Sequence, residues 1–219
     1  VIGPNTADNM FERFAIPAGH RGGLIGLVTQ SGAMGRPILE GMAMGAAISR
    51  WITVGNEVDI EIADVIGHFA AADPARVIAG YVEGFKSLPR LRAALEAANR
   101  AGKPVVLLKI GESERGAHMA ASHTGHLAGN DAIVQGLFDQ HGVTRVRDLD
   151  ELLETANLFA KLPPETGPGA ALYSVSGGTA TLMAEIAGRH GVEVPPLGGG
   201  ARERLAQLLP AYVSFANPV

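Results

Sequence analysis

Two histidines stand three residues apart in Ser122-His123-Thr124-Gly125-His126, within a stretch, Gly111 to Gly129, that is otherwise small, polar and glycine-rich. Imidazole changes charge near neutral pH, so it can bind a metal, act as a base or react as a nucleophile. A metal site would recruit His118 or His126. The spacing of His123 and His126 is not a zinc signature, however, and no carboxylate or thiolate cluster accompanies it. A general base would need a partner such as Ser31. Thr29 stands where a nucleophile elbow has its first glycine, and no triad order supports that pairing. The third chemistry is acceptance of a phosphoryl group by His123. It requires backbone donors around the phosphate and a carboxylate that orients the ring through its other nitrogen. Glu83 is the candidate orienter, and two Ser-Gly helix starts, at Ser31-Gly32-Ala33 and Ser176-Gly177-Gly178-Thr179, are the candidate cradles. Against these stand plainer readings: a histidine held only by structural hydrogen bonds, and a serine that simply caps a helix. His118 reads as supporting or exposed.

The elements that would position these groups alternate regularly. Apolar runs over 24–29, 48–54, 77–82, 104–109 and 143–146 predict strands. Helices are expected over 33–46, 59–71, 88–101, 131–140 and 149–162, the third with Leu88, Leu91, Leu95 and Ala98 at helical spacing. Five successive βα units predict an α/β fold, a parallel sheet covered by helices on both faces. In such a sheet ligands sit beyond the carboxyl ends of the strands. Gln30-Ser31-Gly32, Gly55-Asn56-Glu57, Glu83 and the histidine stretch all follow strands, so one shared edge is the expected site. Asn56, Glu57 and Asp59 either shape that pocket or cap the helix after them. Asp148, Asp150 and Glu151 fit a helix start, and Trp51 and Tyr81 fit the core. Residues 1–22 show no clear element, with Phe11, Phe14 and Ile16 available for packing. Residues 163–169 are a Pro/Gly linker. A second unit then opens with strand 170–175, helix 179–189 (Leu182, Ile186 and Met183 inward), strand 192–194 and helix 201–209. Two βα units are too few to close a doubly wound domain, which predicts truncation.

Composition narrows the function. With 219 residues, 47% of them hydrophobic, a substantial core is available. Net charge is −4 and no Lys/Arg block stands out, which argues against nucleic acid as a partner. There is no cysteine, so disulfide and thiolate-metal chemistry are excluded. No signal peptide or apolar run of transmembrane length is visible, and a cytoplasmic location without a membrane partner is expected. Neither a Gly-x-Gly-x-x-Gly fingerprint nor a Walker A sequence occurs. Charged residues are only 18%, and the chain begins at Val1, so it reads as a piece of a larger polypeptide.

An ordered set of motifs resembles one family. Gly3-Pro4-Asn5, Gln30-Ser31-Gly32-Ala33, Gly55-Asn56-Glu57-Val58-Asp59, Tyr81-Val82-Glu83-Gly84, Lys103 to Lys109, Ser122 to Gly129, Ser176-Gly177-Gly178 and Asn217-Pro218-Val219 together look like the NDP-forming (ADP-forming) acyl-CoA synthetases of the succinyl-CoA synthetase-like group. The resemblance spans the chain. It implies a flavodoxin-like, doubly wound domain over 23–162 carrying the phosphohistidine, a linker at 163–169, and a truncated second flavodoxin-like domain at 170–219. Residues 1–22 would be the tail of a missing CoA-binding domain. By matching motif, His123 would be the phosphorylated residue and Glu83 its supporting carboxylate. Ser31, Gly32 and Ala33 would begin one phosphate-binding helix, and Gly177, Gly178 and Thr179 the one facing it.

The implied reaction joins a carboxylic acid to CoA as ATP becomes ADP and phosphate, through acyl phosphate and phosphohistidine. Nucleotide and Mg2+ would be held mainly by an ATP-grasp domain outside this chain, on the same polypeptide or a partner subunit, in an oligomer; no metal site is expected in the chain itself. The fragment alone should then be inactive. The competing reading is a non-catalytic acyl-CoA- or nucleotide-sensing module, regulatory in an acetyltransferase-type fusion. Two departures are visible: Thr6-Ala7-Asp8 replaces a stretch where many relatives have cysteine, and His126 replaces a small apolar residue.

Overall fold

A computed structural model describes residues 2–6, 23–113, 115–116, 118–119, 131–162, 166–210, 213 and 215–219. His123, His126, Phe11, Phe14 and Ile16 lie outside the described residues. The chain divides into two compact units, Val1–Leu162 and Pro163–Val219.

The first unit alternates strand and helix. Its order is β1 (Ile25–Thr29), α1 (Gly32–Glu40) with a 3-10 turn (Gly41–Met44), β2 (Ile48–Thr53), α2 (Ile62–Ala71), β3 (Val77–Val82), α3 (Leu88–Arg100), β4 (Val105–Lys109), α4 (Asp131–His141), β5 (Thr144–Val146) and α5 (Leu149–Lys161). The strands form one sheet in the order β2-β1-β3-β4-β5, every pair parallel. This is the flavodoxin-like arrangement that the resemblance implies. Its chain order reverses direction between β1 and β3, which opens a crevice at their carboxyl ends.

Alternation along the strands builds two cores. Val28, Ile78, Val82, Val105 and Leu107 point to the side covered by α2, α3 and α4, where Phe69, Leu91, Leu95 and Phe138 are buried. Leu27, Val77, Ala79, Tyr81, Val106 and Leu108 point to the opposite side, against Trp51, Ile38, Leu152 and Ala156. Burial on both faces explains why these strands read as continuous apolar runs.

Several helix starts come from local chemistry. Asp148 accepts a hydrogen bond from the Glu151 amide at 2.8 Å, and Ser87 accepts one from Arg90 at 3.3 Å. The helix expected from Asp59 begins instead at Ile62, because Glu61 and Asp64 form a reciprocal capping box there. The helix expected over 33–46 stops at Glu40 and tightens into the 3-10 turn, which ends at Gly45 with φ 96°.

Helix α1 lies very close to the sheet. A Cβ on Gly35 would fall 2.0 Å from the Trp51 ring, which is itself buried and donates from Nε1 to Thr29 Oγ1 at 2.9 Å. Gly35→Ala is expected to destabilise the unit by about 1–3 kcal/mol, seen as a lower urea midpoint. An unchanged midpoint would show that the helix can ride outward freely.

The second unit contains α6 (Gly177–Arg189) and α7 (Gly199–Leu208). In place of the strands expected at 170–175 and 192–194, the described residues show a parallel bridge of Gly169 with Glu193 and backbone hydrogen bonds from Val219 N to Leu172 O and from Ser174 N to Val219 O, each 2.9 Å. Asn217 ties this unit together, donating to Ala170 O at 2.7 Å and Pro195 O at 2.8 Å and accepting from Leu172 N at 2.8 Å. Leu182 and Ile186, expected inward, are 57% and 45% exposed. Among the described residues of this unit no strand ladder is formed, and those two apolar positions stay largely uncovered.

Candidate functional site

A pocket of about 300 Å³ opens at the carboxyl ends of β1, β2 and β3, lined by Asn5, Thr6, Gln30, Ser31, Gly32, Ala33, Arg36, Gly55, Asn56 and Glu83. It occupies the crevice that the strand order creates. Two groups of expected site residues, Ser31-Gly32-Ala33 and Glu83, are brought together there from 50 residues apart in sequence.

The α1 wall follows from its sequence. Ser31 Oγ accepts a hydrogen bond from the Met34 amide at 3.3 Å, so the serine does cap the helix as well as line the pocket. The first turn of α1 carries no acidic residue. Its free amides and positive dipole end therefore face the pocket without a competing carboxylate on that turn. Arg36, one turn beyond Gly32, belongs to the same lining and brings a positive charge to that side of the pocket. The sequence reading overlooked Arg36. The i, i+4 spacing from Gly32 was the available signal.

Glu83 is held by a neighbour. Gln30 Oε1 accepts from the amides of Glu83 and Gly84, and Gln30 Nε2 donates to Gly84 O at 2.7 Å. This buried side chain ties the turn after β1 to the turn after β3. Glu83 is only 7% exposed. Its negative charge is felt by Tyr81, whose hydroxyl pKa is pushed up to about 12, first by burial and second by Glu83. Gln30→Leu would strand two buried amides and loosen Glu83. It is expected to cost about 1–3 kcal/mol and to lower any activity that depends on Glu83; full retention of both would show that the clamp is dispensable.

The β2 wall is anchored by the N-terminal residues. Asn56 N donates to Pro4 O at 2.8 Å and Val58 N to Gly3 O at 3.0 Å. Gly55 has φ 58°, and a Cβ there would lie 2.2 Å from Pro4 O, so this approach requires glycine. Asn56 faces the pocket, whereas buried Glu57 accepts from the Ile62 amide at 2.7 Å and fixes the approach to α2. Lys86 Nζ donates to the Asn56 and Glu57 carbonyls, linking the loops after β2 and β3.

Within the histidine segment the described residues are 111–113, 115–116 and 118–119, and the description resumes at Asp131. On the entry side, Arg115 and His118 are helical and exposed. Nearer the sheet, Arg145 of β5 is in ion-pair contact with Glu112 at 3.0 Å and with Asp131 at 2.9 Å. Lys109 lies 3.8 Å from Asp131 and donates to Ile110 O. Burial holds the Lys109 ammonium below its ordinary pKa, while Asp131 opposes that shift. Gly177, Gly178 and Thr179 belong to the other unit, where Ser176 Oγ caps α6 by accepting from Thr179 N at 3.3 Å. No cluster of three or more His, Asp or Glu side chains suited to a metal occurs among the described residues. No helix among them is long and apolar enough to cross a membrane.

Comparison with known proteins converges on one group. Residues 22–159 match the family described as succinyl-CoA ligase like flavodoxin domain. The whole chain aligns at 34% identity with the alpha subunit of acetate–CoA ligase [ADP-forming] II from Pyrococcus furiosus, covering 49% of that protein. It aligns over its full length at 29% identity with 4-hydroxybutyrate–CoA ligase [ADP-forming] from Nitrosopumilus maritimus, covering 32% of it. A solved structure of a Ca. Korarchaeum cryptofilum dinucleotide-forming acetyl-coenzyme A synthetase, in complex with phosphate and ADP, superposes with TM-score 0.74 at 27% identity over 90% of this chain and 43% of that one. The chain thus spans about half the length, or less, of the relatives it matches. On its matched region and its sheet order, the chain belongs to the succinyl-CoA ligase-like flavodoxin domain family.

Proposed function

We propose that this chain is the phosphohistidine-bearing part of an ADP-forming acid–CoA ligase. One observation carries the reading: the start of α1, Arg36 and Glu83 line a single pocket at the β1/β3 crevice, in a chain related to such ligases. The pocket suits a phosphoryl group, with helix amides and a guanidinium as donors.

In the proposed reaction His123 receives a phosphoryl group from ATP through a ring nitrogen, with release of ADP. It passes that group to the carboxylate of the acid, forming acyl phosphate and restoring the free imidazole. The CoA thiolate then displaces phosphate from the acyl carbon. Ser31, Gly32, Ala33 and Arg36 offset charge on the phosphoryl oxygens; for Gly177, Gly178 and Thr179 a phosphate-binding role is supported by the family motif alone. Glu83 orients the His123 ring and balances imidazolium charge. Mg2+ neutralises phosphate charge on the nucleotide and is assigned, with ATP or ADP, to an ATP-grasp domain of the same polypeptide or a partner subunit. CoA is assigned largely to a separate CoA-binding domain. An oligomeric, cytoplasmic enzyme fits these substrates. The relatives act on different acids, so the acyl group is left general.

The test uses the complete ligase that contains this chain. It is treated with Mg-ATP, quenched in alkali and mapped by mass spectrometry. An acid-labile phosphate on His123, discharged by acid plus CoA, is the expected result. Bound ATP without that label would overturn the reading.

A further inference from the structure

Arg145 is placed to do more than fill the edge of the sheet. It sits on β5 opposite Leu107 of β4, with its side chain 11% exposed. Its Nη1 and Nη2 meet the two Asp131 oxygens at 2.9 and 3.0 Å, a forked pair. Nη1 also donates to Gln135 Oε1 at 2.9 Å, and Nη2 reaches Lys109 O at 3.3 Å and Glu112 Oε1 at 3.0 Å. These partners are not scattered. Lys109 ends β4, Glu112 lies three residues beyond it, and Asp131 and Gln135 belong to the first two turns of α4. One guanidinium therefore holds both the point where the chain leaves the sheet and the point where it enters the next helix. His123 lies in the sequence between them.

We propose that Arg145 is a positioning residue for phosphoryl transfer, acting through Glu112 and Asp131 to fix both ends of the segment that carries His123. This rests on the phosphohistidine reading above. An Asp at a helix start is stabilised by the dipole without further help. Here Asp131 also engages Arg145 in both oxygens, which sets the direction from which α4 begins. A lysine at 145 would keep the charge and lose the fork. Glu112 is 58% exposed, so its loss leaves no buried orphan and the unit should stay folded.

The complete ligase is compared with its Arg145→Met, Arg145→Lys and Glu112→Gln forms. Single-turnover labelling of His123 from Mg-ATP gives a rate constant, an amplitude and an apparent KM for ATP. Trypsin cleavage after exposed Arg115 reports independently on the tether. Arg145→Met is expected to slow labelling about tenfold or more, with amplitude and KM for ATP unchanged. Arg145→Lys should remain slow, and Glu112→Gln should be slowed less. Cleavage after Arg115 should quicken about fivefold in Arg145→Met. A wild-type labelling rate in Arg145→Met, or a loss of amplitude at constant rate, would overturn the proposal. If wild type takes no label, the phosphohistidine reading fails. The Arg115 arm then decides the tether separately: faster cleavage supports it, and unchanged cleavage overturns it.

Discussion

His123→Ala in the complete ligase is expected to lower net acyl-CoA formation by about 10⁴-fold or more, the scale on which removal of a covalent nucleophile acts. The reason is specific to the step. In the proposed route, removing the imidazole removes the acceptor for the phosphoryl group, so neither ADP release nor acyl phosphate formation can be linked to it. The exchange of phosphate for CoA at the acyl carbon, as proposed above, does not use the histidine. Formation of acyl phosphate from acyl-CoA and phosphate should therefore survive in the same variant. Loss of the coupled reaction with survival of this half is the expected pattern. Comparable turnover in His123→Ala would assign the phosphoryl carrier to another residue, and loss of both halves would point to a collapsed pocket.

Glu83→Gln is expected to slow phosphoryl transfer by up to roughly 10⁴-fold, by analogy with removal of the carboxylate that orients a catalytic histidine. The substitution keeps shape and removes charge. It should leave the fold intact, because Gln30 grips the backbone amides of Glu83 and Gly84 rather than the carboxylate. The change should fall on the rate constant, with little effect on the KM for ATP. Tyr81 supplies an internal check. Its hydroxyl pKa is raised first by burial and then by Glu83, so it should move down towards the ordinary tyrosine value in Glu83→Gln while staying above it. A wild-type rate together with the Tyr81 shift would show that Glu83 is present and charged but not used.

Much of the fold was legible because parallel strands buried on both faces read as uninterrupted apolar runs. Val77 to Val82 and Val105 to Lys109 fall where those runs lie. Boundaries failed where a local hydrogen bond outweighed pattern. The capping box of Glu61 and Asp64 moved the start of α2 to Ile62. In the second unit the β-like sequence at 170–175 pairs, among the described residues, only in isolated backbone contacts, with Glu193 and with Val219, rather than in a continuous ladder. Arg36 is marked in the sequence only by its i, i+4 spacing from Gly32, and Arg145 by no local pattern, because long cations are common on surfaces.

Order along the chain was enough to place Gln30-Ser31-Gly32, Gly55-Asn56-Glu57, Glu83 and His123 after successive strands, and hence to predict one shared edge. It also revealed the family, whose motifs are recognised as a series. Proximity was another matter. That Gln30 grips the turn at Glu83 and that Arg145 joins Glu112 to Asp131 both depend on strand neighbours separated in sequence. The sheet order β2-β1-β3-β4-β5 brings these turns side by side. Local propensity acts over a few residues, whereas these contacts form only when distant strands pair in register.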